Sequence, residues 1–150
     1  MMHSSSSGDI QREFSWPVRV YWEDTDAGGV VYHASYVRFL ERGRSEWLRA
    51  LGIHQQALSR DRDLLFAIRS MQLDFLRAAR LDDELNVRTS LTERRGASLV
   101  FAQGIWRGEE LVLRAEVRAV CITATSFKPR PLPDDLLHTV EIHSLFNASE

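Results

Sequence analysis

The sequence predicts an α+β fold in which one antiparallel sheet packs around one long helix. Two observations support this. A single segment, 35–51, repeats its apolar residues with a helical period. The period then changes to two, and the alternating segments are separated by short turns. Strands joined by short turns pair antiparallel, so we expect one sheet layer packed on one helix layer.

Length and composition favour one globular domain. The chain has 150 residues, of which 44% are hydrophobic and 27% charged, and its formal net charge is −2. We predict an arm at 1–15, one domain at 16–134 and a tail at 135–150. The weak net charge disfavours nucleic acid or an anionic membrane as a general partner.

The expected location is the cytoplasm. No apolar run is long enough to span a bilayer, and the first residues lack the apolar core of a signal peptide. Cys121 is the single cysteine, so no internal disulfide can form. This suits a reducing compartment, and we expect Cys121 to be a buried, small side chain.

The first elements are a short strand and the long helix. Residues 18–22 are predicted to form the strand, with Pro17 at its entry. Gly52 ends the helix, and Gly43 on the apolar stripe would allow a sheet to approach closely. The apolar stripe of this helix comprises Tyr36, Phe39, Leu40, Gly43, Trp47, Leu48 and Leu51. The opposite, polar side comprises Arg38, Glu41, Arg42, Arg44, Glu46 and Arg49.

Four further strands follow a connector that has room for one helical turn at 55–58. The two short turns are expected at 94–98 and 107–110, and the prolines from Pro129 onward precede a short helix at 134–138. The predicted strands are 64–75, 85–91, 99–106 and 111–121.

The stretch EDTDAGGVVYHASY, from Glu23 onward, has the composition of a reactive site. It leads into a helix N-terminus, where unpaired backbone N–H groups can bind an anion or a developing oxyanion. Gly28 and Gly29 allow tight turns and close approach of a ligand. Asp26 could act as a base or nucleophile, and His33 could transfer a proton. These parts together suggest hydrolysis of an acyl group.

Other interpretations of the same residues remain open. Aspartate and glycine are common in turns, so the loop could be only a turn, and His33 could be only a polar cap. Asp24, Asp26 and His33 could also begin a metal site, although the loop offers too few ligands to complete one.

The motifs resemble a known family. WPVRVYWEDTDAGGVVYHASYVRFLERGRSEWL, FLRAARLDDEL, RRGASLVF, AEVRAVCI and KPRPLP together cover about 16–133. They are similar to the hotdog-fold acyl-CoA thioesterases related to 4-hydroxybenzoyl-CoA thioesterase, and more narrowly to the Tol–Pal-associated (YbgC-like) subgroup. The resemblance implies a hotdog fold and protomers joined edge to edge with active sites between them. Exposed sheet edges favour such pairing, and we expect a homotetramer, as a dimer of dimers.

The resemblance also implies roles for individual residues. Asp26 matches the catalytic carboxylate, which activates water or attacks the thioester itself. The backbone N–H of His33 would polarise the carbonyl, and its ring is implicated in activity in the subgroup. Gly29 would admit the thioester, and Tyr32 would shape the acyl pocket. The aromatic-CoA relatives carry tyrosine in place of His33, which argues against a 4-hydroxybenzoyl substrate.

The turn at 94–98 is the predicted coenzyme A contact. In the aromatic-CoA relatives the matching turn contacts the nucleotide phosphates, and arginine binds phosphate in bidentate fashion. We therefore assign Arg94, Arg95 and Ser98 to phosphate binding, the alternative being a solvated hairpin tip. No metal and no cofactor is expected, since coenzyme A is part of the substrate.

Two other functions compete with the acyl-CoA thioesterase. A hotdog dehydratase or hydratase needs a different arrangement of histidine with aspartate or glutamate, which DTDAGGVVYH does not supply. A non-catalytic protein that binds an acyl carrier protein or an envelope complex would not need Asp26 and His33 together. Binding of an acyl carrier protein could still accompany catalysis.

Overall fold

The computed structural model describes residues 13–144 and confirms the α+β hotdog prediction. Five strands form one antiparallel sheet in the order β1-β3-β4-β5-β2. The strands are β1 (Phe14–Arg19), β2 (Leu64–Phe75), β3 (Glu84–Arg95), β4 (Ser98–Arg107) and β5 (Glu110–Thr123). The helices are α1 (His33–Ala50), α2 (Gln55–Arg62) and α3 (Asp134–Ile142). None of these described helices is both long and apolar enough to cross a bilayer.

Helix α1 packs its apolar stripe against the sheet, as predicted. Phe39 and Leu40 are completely buried and Trp47 is 2% exposed. Gly43 brings helix and sheet close together, because a Cβ atom there would lie 2.6 Å from Cγ1 of Val87 on β3. Beside this contact the Gln103 amide donates to the Leu40 carbonyl oxygen at 3.0 Å, which ties α1 to β4.

One residue of the predicted polar side of α1 is buried instead. Arg44 is only 7% exposed, and its Nη1 donates to Oε1 of Gln103 at 3.1 Å. Arg44 lies four residues after Leu40 and four before Leu48, so it shares their face of the helix. The prediction that it faces solvent was wrong because it followed charge rather than helical position.

The first strand begins earlier than predicted. β1 covers Phe14–Arg19 rather than 18–22, and Trp22–Asp24 forms a turn of 3-10 helix. Pro17 therefore lies within the strand, where it is tolerated because β1 is an edge strand that, among the described strands, pairs with β3 alone. The predicted arm at 1–15 overlaps the start of this strand, and its residues 1–12 lie outside the described part of the chain.

The other elements agree with the predictions apart from their ends. α2 extends the expected helical turn to eight residues. The apolar alternation of β2 shifts by one residue between Ile68 and Met71. This shift coincides with a register shift between Ile68 and Ser70 in the pairing of β2 with β5. α3 lies in the predicted tail and buries Leu136 and Val140 against the core. Cys121 is buried, as expected.

Candidate active site

The loop between β1 and α1 closes in a tight turn at Asp26. The Gly29 N–H donates to the Asp26 carbonyl oxygen at 3.0 Å, and the Asp26 N–H donates to the Val30 carbonyl oxygen at 2.9 Å. Gly29 has φ +82°, a conformation that glycine adopts without steric cost. Val31 then pairs with Thr25 and donates its N–H to the Ala79 carbonyl oxygen at 2.8 Å. The loop is thus fixed to the segment that follows β2.

The two aspartates of this loop have different environments. Asp24 is 2% exposed, and its Oδ2 accepts the Tyr21 N–H at 2.8 Å. Asp26 is exposed, and its Oδ1 accepts the Gly28 N–H at 2.8 Å. That bond orients the Asp26 carboxylate and leaves its other oxygen available. Asp24 shapes the loop, whereas Asp26 can contact a ligand.

Helix α1 begins beside this carboxylate. The Tyr32 N–H donates to the Asp24 carbonyl oxygen at 2.8 Å, which fixes the start of the helix. Within residues 13–144 the N–H of His33, the first residue of α1, has no backbone acceptor. The rings of Tyr32 and His33 pack with centroids 4.3 Å apart. The first residue of α1 therefore offers an N–H donor without a backbone acceptor.

Asp26 and His33 line one open depression of about 420 Å³. Its other side is formed by the exposed side chains of Phe75 and Leu76, at the end of β2 and just after it. Sequence reasoning missed this wall because it lies more than forty residues further along the chain. The apolar wall next to a carboxylate and a free N–H suits the acyl part of an ester or thioester.

Tyr36 also lines this depression, although the sequence analysis placed it on the apolar stripe of the helix. Its hydroxyl oxygen accepts the Ala79 N–H at 3.0 Å, which holds the segment after β2 against α1. Burial raises the pKa of Tyr36, so the phenol stays protonated at neutral pH. Its position on the apolar stripe was the only sequence signal, and it did not distinguish a core residue from a site residue.

The predicted phosphate-binding residues lie far from Asp26 within one protomer. Arg94 and Arg95 are the last residues of β3, and Ser98 pairs with Arg95 across the hairpin. The predicted turn is therefore narrower, at residues 96–97. The loop that carries Asp26 is hydrogen-bonded to residues 79–83, just before β3 begins, so Asp26 lies at the opposite end of this twelve-residue strand. Arg95 is exposed, whereas Arg94 donates to Oε2 of Glu141 on α3 at 2.6 Å.

The metal site considered as an alternative gains no further ligands among residues 13–144. Among residues 13–144, no group of three or more histidine, cysteine, aspartate or glutamate side chains is placed to bind a metal ion. Asp24, one of its three proposed ligands, already accepts a backbone N–H and is buried.

Comparison with known proteins agrees with this fold. Residues 20–140 match the thioesterase-like superfamily. The chain belongs to this superfamily. It is 52% identical, over 83% of its own length and 92% of the relative's, to a protein of Escherichia coli O157:H7 named acyl-CoA thioester hydrolase YbgC.

Two solved structures of thioesterases are also similar. A probable thioesterase from Bartonella henselae is 39% identical, with a TM-score of 0.78, covering 81% of this chain and 99% of that one. A 4-hydroxybenzoyl-CoA thioesterase mutant in complex with 4-hydroxybenzoyl-CoA is 22% identical, with a TM-score of 0.78, covering 86% of this chain and 99% of the other. The second likeness concerns the fold alone. The predicted membership of the hotdog thioesterases is confirmed.

Proposed function

We propose that this member of the thioesterase-like superfamily hydrolyses acyl-CoA to a free acid and coenzyme A. One observation supports it above the others: the exposed Asp26 lines the same depression as His33, whose N–H has no backbone acceptor within residues 13–144. The acyl-CoA thioester hydrolase name of a relative 52% identical to this chain points to the same reaction.

In the proposed mechanism the thioester carbonyl oxygen accepts the His33 N–H at the start of α1. Asp26 then either removes a proton from water, which attacks the carbonyl carbon, or attacks that carbon itself, and in both routes the C–S bond breaks to release coenzyme A as a thiolate. The first route gives the free acid directly. In the second route the acyl group is left on Asp26 as an anhydride, which water hydrolyses to the free acid and the Asp26 carboxylate. The His33 imidazole supplies a proton to this thiolate. A positioned acid or base contributes about 10²–10⁴-fold in rate, and one oxyanion donor about 10²–10³-fold.

The remaining loop residues would position the substrate. Gly29 has no side chain to obstruct the thioester, and nothing lies within 4 Å of where its Cβ would be. Tyr32 is 45% exposed and packs on the His33 ring, so it can border the acyl group. No cofactor takes part, since coenzyme A enters as part of the substrate.

We further propose that the working unit is a dimer paired along β2. The sheet has two edges, and β2 is the longer one, with twelve residues and no proline. It also carries exposed apolar side chains at Ile68, 45% exposed, and Phe75, 53% exposed. Such an edge favours pairing with another strand. A two-fold axis would pair β2 with a second β2 in antiparallel orientation.

This pairing would bring the separated site residues together. Asp26 and Phe75 lie at one end of the sheet, and Arg95 and Ser98 lie at the other. An antiparallel pairing of two copies places the Asp26 end of one protomer beside the Arg95 end of its partner. The nucleotide phosphates of a substrate bound at Asp26 would then contact Arg95 of the other protomer, with Arg94 and Ser98 of that protomer beside it.

The wider biological setting is proposed on the resemblance to the Tol–Pal-associated subgroup. It favours a dimer of dimers, a cytoplasmic location and an acyl carrier protein as a further partner. The single cysteine suits that location, and sedimentation analysis of the purified protein will establish the oligomeric state.

Release of coenzyme A is the direct test of the proposed activity. We expect a thiol-reactive dye to report turnover with at least one member of a panel of short, long and aromatic acyl-CoAs. We expect the rate to be unchanged after exhaustive chelation, because no step requires a metal. A folded protein that hydrolyses neither acyl-CoA nor acyl carrier protein thioesters would contradict the proposal and favour a binding protein.

Replacing Arg95 by glutamine should raise KM for acyl-CoA by roughly three- to ten-fold, because a solvent-screened phosphate contact is lost. The same acyl group on N-acetylcysteamine has no phosphates, so its KM should not change. The matched control is Arg60→Gln, an exposed arginine on α2 outside the proposed site. An equal rise in KM for both substrates would show that Arg95 does not bind the nucleotide.

A further inference from the structure

A second cavity lies beside β2, away from Asp26 on the same protomer. It occupies about 110 Å³ between the second half of α1 and the sheet. One wall is apolar, and the other carries polar groups. The apolar wall comprises Leu48, Phe66, Ile68, Leu99, Phe101 and Ala119. The polar wall comprises Glu41, Arg44, Ser45 and Gln55.

Arg44 is the unusual member of this polar wall. It is 7% exposed, yet within residues 13–144 its guanidinium has one acceptor, Oε1 of Gln103 at 3.1 Å, and no carboxylate within ion-pair distance. Burial lowers its pKa from the usual value, a sign that its charge is poorly solvated. A buried charge is normally paired, so the remaining N–H donors are suited to an acceptor that enters the cavity.

The neighbouring polar side chains are already engaged with each other. The Ser45 hydroxyl donates to Oε2 of Glu41 at 2.6 Å, and the Gln55 amide donates to the Ser45 oxygen at 3.1 Å. Glu41 is exposed and lies at the solvent side of the wall, where its charge favours the cationic form of Arg44. The buried part of the wall therefore contributes the remaining Arg44 donors, and the exposed Glu41 contributes a carboxylate at the solvent side.

The cavity lies at the end of β2 opposite to the proposed catalytic depression. Phe66 and Ile68 border the cavity, whereas Phe75 borders the depression that contains Asp26. When two copies pair antiparallel along β2, the Phe66 end of one strand lies beside the Phe75 end of the other. In that proposed dimer the Arg44 cavity of one protomer would lie beside the Asp26 depression of its partner.

We propose that this cavity holds the far end of the acyl group and that Arg44 selects acyl groups ending in an oxygen acceptor. The inference rests on the proposed thioesterase activity and names its substrate class. A thioester bound at Asp26 of one protomer extends its acyl group past Phe75 into the partner's cavity. There the Arg44 guanidinium donates to a carboxylate or hydroxyl at the tip, while Phe66 and Phe101 contact the methylene groups.

The test compares acyl-CoAs that differ only at the tip. Butyryl-CoA is matched with succinyl-CoA, and hexanoyl-CoA is matched with adipyl-CoA and 6-hydroxyhexanoyl-CoA. We expect a higher kcat/KM for an oxygen-ended member, by about ten-fold or more, because a buried hydrogen bond to a charged donor discriminates strongly. The 6-hydroxyhexanoyl and adipyl substrates distinguish a neutral acceptor from a carboxylate.

Replacing Arg44 by methionine should lower this preference ratio by about ten- to a hundred-fold. Methionine fills the space without an unpaired charge, so the fold is expected to persist, and Arg44→Lys should give an intermediate ratio. The matched control, Arg49→Gln on the exposed side of α1, should not alter the ratio. Efficient but equal hydrolysis of both members of each pair would contradict the role of Arg44 while leaving the thioesterase activity intact.

A mixing experiment tests whether Arg44 acts on the partner's site. Asp26→Asn and Arg44→Met proteins are each expected to be poor on the oxygen-ended substrate. A mixed dimer contains one site with both residues intact, so co-expression should restore roughly a quarter of the parent activity if subunits pair at random. If both residues served the site of their own protomer, no mixed dimer would contain an intact site, and the absence of restoration would overturn the proposal.

Discussion

Replacing Asp26 by asparagine is expected to lower kcat for acyl-CoA hydrolysis by about 10²–10⁴-fold, because the base or nucleophile is lost. The fold should persist, since an asparagine Oδ1 can still accept the Gly28 N–H that Asp26 accepts at 2.8 Å. Thiol release under saturating substrate measures the change, and circular dichroism and sedimentation confirm that the variant is folded and assembled.

The matched control is Glu23→Gln, which removes another exposed carboxylate from the same loop. It should retain activity close to that of the parent. A folded Asp26→Asn protein with parent-like kcat would exclude the mechanism proposed here. Rapid-quench mass spectrometry of the parent then separates the two routes, because an acyl group attached to Asp26 forms only if Asp26 attacks the thioester itself.

Enlarging Gly43 is expected to have the largest effect on stability. A Cβ atom at this position would lie 2.6 Å from Val87 Cγ1 and 2.9 Å from Thr89 Oγ1, both on stiff β-branched side chains of β3. Overpacking costs about 1–3 kcal/mol, whereas alanine gains about 1 kcal/mol over glycine in a helix. Gly43→Ala should therefore lower the free energy of unfolding by up to about 2 kcal/mol, and Gly43→Leu should prevent folding.

Urea denaturation at one fixed protein concentration measures this loss, since assembly makes apparent stability depend on concentration. Arg42→Ala is the control, because Arg42 directly precedes Gly43 but is exposed. It should shift the free energy of unfolding by less than about 0.5 kcal/mol. A Gly43→Ala protein more stable than the parent would show that α1 can move away from the sheet.

The fold was predictable where burial follows a regular period. The stripe of α1 and the alternation of β5 each reflect one buried face, so period and structure agree. Prediction failed at β1, where Pro17 was taken as the start of the strand although an edge strand tolerates it internally. It also failed at Arg44, whose long side chain lies on the buried face and reaches Gln103.

The site was predictable only as far as it is local in sequence. Asp26, Gly29, Tyr32 and His33 lie within one short stretch, so their neighbourhood could be predicted, although their catalytic roles remain a prediction. Other parts of this site come from residues at and after the end of β2, which the fold brings next to the loop. Those parts include the wall at Phe75 and Leu76 and the hydrogen bond from Ala79 to Tyr36, and no local pattern marks such distant partners.

The two edges of the sheet also determine how far the sheet can extend. β1 is half as long as β2 and carries Pro17, which has no N–H to offer to another strand. If two copies join through β2, both outer edges of the ten-stranded product are β1 edges. Further strand addition is therefore disfavoured. Pairing through β2 thus also protects the protein from growing into fibrils at high concentration.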